Sequence, residues 1–453
     1  MSRTRTLYRC ATCGAEAPKW SGRCAGCGDW NTLQEELAGP APSALPLTTA
    51  SPPRPITELP SDDGRPVATG VAEFDRVLGG GLVPGSVTLL GGEPGVGKST
   101  LVLQLLAERA AAGASVLYVT GEESTGQVRL RAERLGALEP QLLLAAETSL
   151  PAVLAHLESI RPELCVVDSV QTLHDPQFSS APGSVTQVRE CAHRLVQAAK
   201  STGTTVVLVG HVTKDGQLSG PRVLEHVVDT VLSLDGDRHH ALRVLRASKH
   251  RFGSTGEIGL FSVGASGLAV VADPSSMFLG DRRDEVEGSV VMPSLEGHRP
   301  LLVEVQALVS PSPLPQPRRS VQGLESGRVA LLLAVLQQRA GVPLAANDVY
   351  AMTAGGARVA EPAADLAVCL AVASSVSRQA FPADTVAVAE VGLGGELRQV
   401  QGLERRLAEA ARLGFRSAVV ARSSPDVDAS IELLRVPTLL GALRLTGVAR
   451  TVG

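Results

Sequence analysis

Aromatic residues are scarce in this 453-residue chain, at 3% of positions, and two of them are tryptophan. The cores must therefore be built from Leu, Val and Ala. A basic surplus is also missing. The chain has 42 Lys and Arg against 46 Asp and Glu, a formal net charge of −4. That balance excludes nucleic-acid binding through bulk charge, so any such contact must come from a local patch. No stretch reaches the ~18 uninterrupted apolar residues of a membrane span. Residues 1–9 are polar and lack an apolar signal core. These absences lead to the expectation of a cytosolic protein that touches no membrane. Cysteine is limited to seven residues, four of them within the first 27. A secreted disulfide scaffold spreads its cysteines more evenly. What is present is ordinary for a globular protein, 44% hydrophobic and 19% charged residues, and the length suggests about three domains.

Four regions follow along the chain. Residues 1–36 hold the cysteine cluster. Residues 37–64 are rich in Pro, Ala, Ser and Thr without apolar period, and predict a linker. From 65 to 275, continuous apolar runs alternate with helical stretches. The runs are Ser86–Leu90, Val116–Thr120, Leu164–Val167, Val206–Val209 and Val231–Leu234. Runs buried on both faces suit a mostly parallel sheet, and helices such as Ser99–Ala112 and Val185–Lys200 between them predict a doubly wound α/β core. Residues 275–320 are mixed in pattern. A second α/β-like stretch runs from about 323 to 445, with helices at Glu325–Arg339, Pro362–Ser377 and Leu403–Leu413 and a strand at Ala418–Ala421.

Cys10-Ala-Thr-Cys13 and Cys24-Ala-Gly-Cys27 are two C-x2-C pairs ten residues apart, each followed by glycine. Four thiolates at that spacing can close a tetrahedral Zn²⁺ site, and the glycines permit tight knuckle turns. A redox C-x-x-C or a pair of disulfides is the alternative. A module this small has little core of its own, so metal ligation must supply its folding energy. Cys165, Cys191 and Cys369 lie in apolar runs and read as core.

Gly92-Glu93-Pro94-Gly95-Val96-Gly97-Lys98-Ser99 fits G-x4-G-K-[ST], after a strand and before a helix, which is the context the motif requires. Its backbone N–H groups and the helix N-terminus suit ATP phosphates. Lys98 is expected on the β- and γ-phosphates, Ser99 on Mg²⁺, and Thr100 near the α-phosphate. Asp168 closes the run Leu164–Val167, where a carboxylate can serve the Mg²⁺ shell. A base must also orient water. Glu122 and Glu123 follow the strand Val116–Thr120, and Glu122 is the preferred candidate. His211 follows the run at Val206–Gly210. It is either a γ-phosphate sensor acting on the loop that contains Lys214 or an ordinary histidine.

These pieces, in this order, resemble the bacterial RadA/Sms family of DNA repair proteins. The resemblance is carried by the zinc module, Thr69–Ser86, the P-loop, Gly210–Gly216, Leu224–Asp229, Lys249-His250-Arg251-Phe252-Gly253 and Glu361–Leu366. It implies an α/β fold with a RecA-like P-loop ATPase core, and a C-terminal Lon-protease-like α+β domain over 285–453. It implies a hexameric ring on single-stranded and branched DNA that drives branch migration with the RecA recombinase. It further implies DNA binding or trans-acting roles for Lys249 and Arg251. The family pentapeptide usually has Asn where His250 stands. The Lon serine motif aligns with Pro362–Asp365, which puts Ala363 at the nucleophile, and the lysine motif puts Glu404 where lysine belongs. Proteolysis is therefore not expected. The C-terminal domain is expected instead to hold the hexamer together and to present a basic DNA-facing surface including Arg405 and Arg406. The competing functions are a DNA-translocating ATPase, an ATP-gated repair scaffold and an ATP-dependent protease.

Overall fold

The computed structural model describes residues 5–10, 15–38, 55, 57, 64–210, 222–236, 242–280, 282–428 and 430–449. It divides into two compact units: Met1–Thr255 with Phe261–Val270, and Gly256–Leu260 with Val271–Gly453.

The first unit begins with a small sheet. β1 (Arg5–Cys10) lies between β2 (Glu16–Ala17) and β3 (Leu33–Ala38), antiparallel to both. Among the described residues its buried apolar cluster is Cys10, Cys24 and Leu33.

The larger sheet follows. In chain order its elements are α1 (Ala72–Val77), β4 (Val87–Gly91), α2 (Lys98–Ala111), β5 (Val116–Thr120), α3 (Thr125–Leu135), β6 (Leu142–Ala146), α4 (Leu150–Ile160) and β7 (Leu164–Asp168). Then come α5 (Val185–Thr202), β8 (Thr205–Val209), α6 (Arg222–Glu225), β9 (Thr230–Asp235), β10 (Leu242–His250), β11 (Ile258–Gly264) and β12 (Gly267–Val270). The strand order is β12-β11-β10-β9-β4-β8-β7-β5-β6. β9 through β6 in that order are parallel, whereas β10 is antiparallel to β9 and β11 to β12.

Successive strand side chains point to opposite faces, and the two cores divide accordingly. Leu90, Tyr118, Val166 and Val207 join α2 on one face. Leu89, Leu117, Cys165 and Leu208 join α4 and α5 on the other. β4, β5, β7 and β8 are buried along their whole length, which is why their sequences read as unbroken apolar runs. β6 is only half-buried at the edge, and its short Leu/Ala run gave no clear signal. Burial pushes the Cys165 and Cys191 thiols up to about 12, so both are inert core residues.

The second unit contains α7 (Pro274–Leu279), β13 (Ser289–Glu296), β14 (Arg299–Pro311), β15 (Arg319–Gln322), α8 (Ser326–Arg339), β16 (Asn347–Thr353) and α9 (Asp365–Ser377). It continues with β17 (Thr385–Val388), β18 (Glu390–Val391), β19 (Leu397–Arg398), α10 (Leu403–Arg412), β20 (Ser417–Ala421), β21 (Glu432–Val436) and α11 (Leu439–Leu445). Its main sheet runs β15-β16-β14-β13-β17-β20-β21. The mixed stretch of sequence at 275–320 is largely the hairpin β13–β14, registered from Ser289 opposite Gln306 to Glu296 opposite Arg299. α9 is buried from Asp365 to Ser375.

One expectation is corrected here. Arg406 does not belong to a basic surface. It is 3% exposed, and its guanidinium donates to Glu361 Oε1 at 2.8 Å and Oε2 at 2.5 Å, and to the carbonyls of Pro293 at 2.7 Å and Gln401 at 3.0 Å. Burial pushes the Glu361 carboxyl up, but Arg406, the Leu295 N–H and the Ser294 hydroxyl hold it below the ordinary carboxylate value. A guanidinium with this many acceptors is a structural tie. Arg405, its neighbour on α10, is exposed.

Candidate nucleotide and metal sites

The C-terminal ends of the parallel strands gather the polar groups. β4 ends at Gly91, and the loop Gly92–Gly97 leads directly into α2. Gly97 is the N-cap of α2, with φ 116° and ψ 12°, a left-handed conformation that side chains disfavour. As glycine it offers no side chain to cap the helix, so the first-turn N–H groups stay available to an anion. Gly92 runs tight against the sheet: a Cβ there would lie 2.5 Å from the Leu234 carbonyl oxygen. Together these positions make a loop of backbone donors that fits a phosphate chain.

Lys98, the first residue of α2, is 4% exposed. Its Nζ donates to the carbonyls of Gly92 at 2.7 Å and Glu93 at 3.0 Å. Burial lowers its pKa, while the charges of Asp168 and Glu122 oppose that shift. A buried ammonium in this balance favours an additional anionic partner. Ser99 and Thr100 occupy the same first turn and are half-buried.

Asp168 closes β7 and is 6% exposed. Its Oδ2 accepts from the Tyr118 hydroxyl at 2.7 Å. Tyr118, in the middle of neighbouring β5, has its pKa raised, first by burial and then by Asp168. Sequence reading took Tyr118 only as part of an apolar run. The available signal was its hydroxyl, which needs a partner when buried. Glu122 and Glu123 are separated by their partners. Glu122 Oε1 accepts from Ser169 Oγ at 2.5 Å, beside Asp168. Glu123 is ion-paired with Arg131 of α3, and its N–H donates to Thr120 Oγ1 at 3.1 Å. Lys98, Asp168 and Glu122 therefore form one group, and Glu123 is tied to α3.

Lys249 and Arg251 lie at the end of β10 and just beyond it. Lys249 Nζ donates to the carbonyls of Glu225 at 2.6 Å and Val228 at 2.7 Å, and burial lowers its pKa. Arg251 pairs with Asp229 at 2.9 Å. His250, between them, has Nδ1 3.0 Å from Thr230 Oγ1 and Nε2 3.2 Å from the Leu78 carbonyl. The imidazole thus bridges β9 and the end of α1. His211 and Lys214 lie outside the described residues.

At the zinc module, Cys10 Sγ and Cys27 Sγ are 3.6 Å apart, and the sulfurs of Cys10, Cys24 and Cys27 all lie within 4.8 Å of one another. Tetrahedral Zn–S bonds of about 2.3 Å put sulfurs about 3.8 Å apart. The Gly26 N–H donates to Cys24 Sγ at 3.3 Å, as a knuckle turn requires. The three sulfurs fit a structural Zn²⁺. Cys13, the fourth expected ligand, lies outside the described residues.

Comparison with known proteins decides the family. Residues 8–35 match the family described as rubredoxin metal binding domain, and residues 52–217 match an AAA domain. The DNA repair protein RadA of Bacillus subtilis is 45% identical over 98% of this chain and 99% of its own length. Those of Mycolicibacterium smegmatis and Pseudomonas aeruginosa are 47% and 46% identical, each over 98% of this chain and 97% and 99% of their own lengths. This chain belongs to the RadA family of DNA repair proteins. Membership of the RadA family accounts for both sites at once, a structural Zn²⁺ module ahead of an α/β P-loop ATPase core that takes ATP with Mg²⁺. Among the described residues, no helix is long and apolar enough to cross a membrane.

Proposed function

We propose that this chain is a DNA-dependent ATPase in homologous recombination and repair, a hexameric ring on single-stranded DNA that promotes branch migration of RecA-made intermediates. The observation that supports it most is the convergence of buried Lys98 with Asp168 and Glu122 at the strand ends.

In this reading the N–H groups of Gly92–Thr100 hold the phosphates and Lys98 neutralises the β/γ oxygens, a positioned charge that matters most in a water-poor site. Ser99 and Asp168 would hold Mg²⁺, directly or through water. The bound ion would supply further neutralisation of the phosphate oxygens. Glu122, oriented by Ser169, takes a proton from water or fixes its direction. Glu123 is a poor candidate because Arg131 already occupies it.

Lys249 and Arg251 are the proposed DNA-binding or trans-acting cations. Both are held within their own chain, so they act on DNA or on a neighbouring site by exchanging the Glu225, Val228 and Asp229 contacts. The C-terminal unit has another use than proteolysis: Ala363 offers no hydroxyl and is buried, and Glu404 offers no amine. Its proposed role is to hold the ring together. ATP hydrolysis measured with and without single-stranded DNA, alongside extension of a RecA-made joint molecule, tests the whole reading. DNA stimulation with extension is expected. ATP turnover indifferent to DNA, with no extension, would leave a scaffold instead.

A further inference from the structure

A buried guanidinium beside the nucleotide loop has no part in the roles above. Arg243, the second residue of β10, is 8% exposed. Its Nε donates to the Val96 carbonyl in the P-loop at 3.0 Å, and its Nη1 donates to the Leu242 carbonyl at 2.9 Å. The side chain reaches Val96 by passing over Gly236. A Cβ at position 236 would lie 2.3 Å from Arg243 Cδ and 2.9 Å from Nε, so the missing side chain is what leaves the path open. β12 supports the same stretch of loop. The Leu268 side chain comes within 3.3 Å of where a Gly97 Cβ would stand. Leu268 is itself locked to α2: Gln104 Nε2 donates to its carbonyl and Gln104 Oε1 accepts from its N–H, both at 3.1 Å.

The carbonyl of Val96 and the N–H of Gly97 belong to one peptide plane. In a trans peptide these two groups point in opposite directions, and the plane is stiff. Fixing the Val96 oxygen on Arg243 therefore fixes the direction of the Gly97 N–H on the opposite side of the loop. A cation on the carbonyl also polarises the amide and strengthens its N–H as a donor. Leu268 limits sideways movement of Gly97, whose left-handed backbone no side chain stiffens.

We propose that Arg243 is a positioning residue for nucleotide binding, holding the Val96–Gly97 peptide so that the Gly97 N–H is presented to the phosphates. The inference rests on the reading of Gly92–Thr100 as the nucleotide cradle. It also assigns Gly236 a purpose, as the gap through which the guanidinium reaches the loop.

The test uses the full chain, with ADP affinity, KM for ATP, kcat and melting temperature measured for each variant. Arg243→Met keeps the stem and removes the donor. It should raise KM and the ADP dissociation constant about tenfold, the scale of one hydrogen bond to a charged group, with kcat changed much less. Arg243→Lys should recover part of the loss, because it restores a cationic donor. Gly236→Ala keeps the guanidinium but crowds it aside, and should raise KM in the same direction. Where Arg243→Met does not fold, Gly236→Ala and Arg243→Lys decide. KM and ADP affinity within twofold of wild type in the folded variants would overturn the proposal. So would equal losses in kcat and KM that follow the melting temperature and are not relieved by Arg243→Lys. A wild-type protein that bound no nucleotide would instead sink the cradle reading itself.

Discussion

The two units share an architecture, and charged groups chosen from each are held in different ways. Both are sheets clad by helices, with charged side chains buried near strand and helix ends. In the second unit two guanidinium–carboxylate contacts form closed pairs. Arg406 grips Glu361 with two nitrogens, and Arg328 grips Asp365 in the same way while the Val391 N–H donates to Asp365 Oδ2. At the strand ends of the first unit, Lys98 donates to the carbonyls of Gly92 and Glu93 in the field of two carboxylates, and Asp168 accepts from a neutral phenol. A closed pair spends its charges on each other and contributes specificity of packing. The group at the nucleotide loop instead gathers one ammonium and two carboxylates beside a glycine-rich loop. The comparison teaches that burial alone does not mark a site.

Removing the central cation should break the comparison most severely. Lys98→Ala is expected to lower ATP turnover by roughly a thousandfold, the scale of losing a preorganised charge in an active site, with a near-normal melting temperature. Phosphate release and thermal melting measure the two halves of that statement.

The closed pair should respond in the opposite sense, through stability. Arg406→Ala leaves Glu361 buried without its cation and should destabilise the second unit by about 3 kcal/mol, as read by urea unfolding. The effect depends on pH. The folded pKa of Glu361 lies below its ordinary 4.5, so its stabilisation is fully present above the unfolded value and is lost as pH falls through the folded one. Wild type and Arg406→Ala should therefore converge in stability as the pH is taken below 4.5. A constant difference across that range would mean the pair does not titrate as described.

A smaller effect sharpens the nucleotide-loop side. Tyr118→Phe removes the donor to Asp168 while keeping the ring in the core. Turnover should fall about fivefold, the scale of one neutral hydrogen bond, and the Mg²⁺ concentration needed for half-maximal rate should rise. An unchanged Mg²⁺ dependence would make Tyr118 a core residue only.

Much of the first unit was legible because its constraints are local. The P-loop must carry glycine at fixed spacing before a helix, and strands buried on both faces must be apolar throughout. The nucleotide site was legible in its residues but not in its wiring: Ser169 meets Glu122 and Tyr118 meets Asp168 only when strands 50 residues apart pair. The preference for Glu122 over Glu123 rested on position alone, and the structure adds that Arg131 holds Glu123. The second unit was harder. Pro293 and Pro300 interrupt the β13–β14 pattern, though register pairs them with Leu302 and Leu295. Arg406 was misread because a charged residue on an amphipathic helix defaults to the solvent face, and its partner Glu361 lies 45 positions away. Arg243 gave no signal either, since the acceptors described for it, Val96 and Leu242, are backbone carbonyls.

The most direct test of the roles given to Lys98, Asp168 and Glu122 compares ATP hydrolysis and ATP binding in Glu122→Gln and Glu123→Gln. The account predicts that Glu122→Gln binds ATP as wild type does and hydrolyses it about a hundredfold more slowly, while Glu123→Gln keeps most of its turnover. Full turnover by Glu122→Gln, with loss in Glu123→Gln, would contradict it.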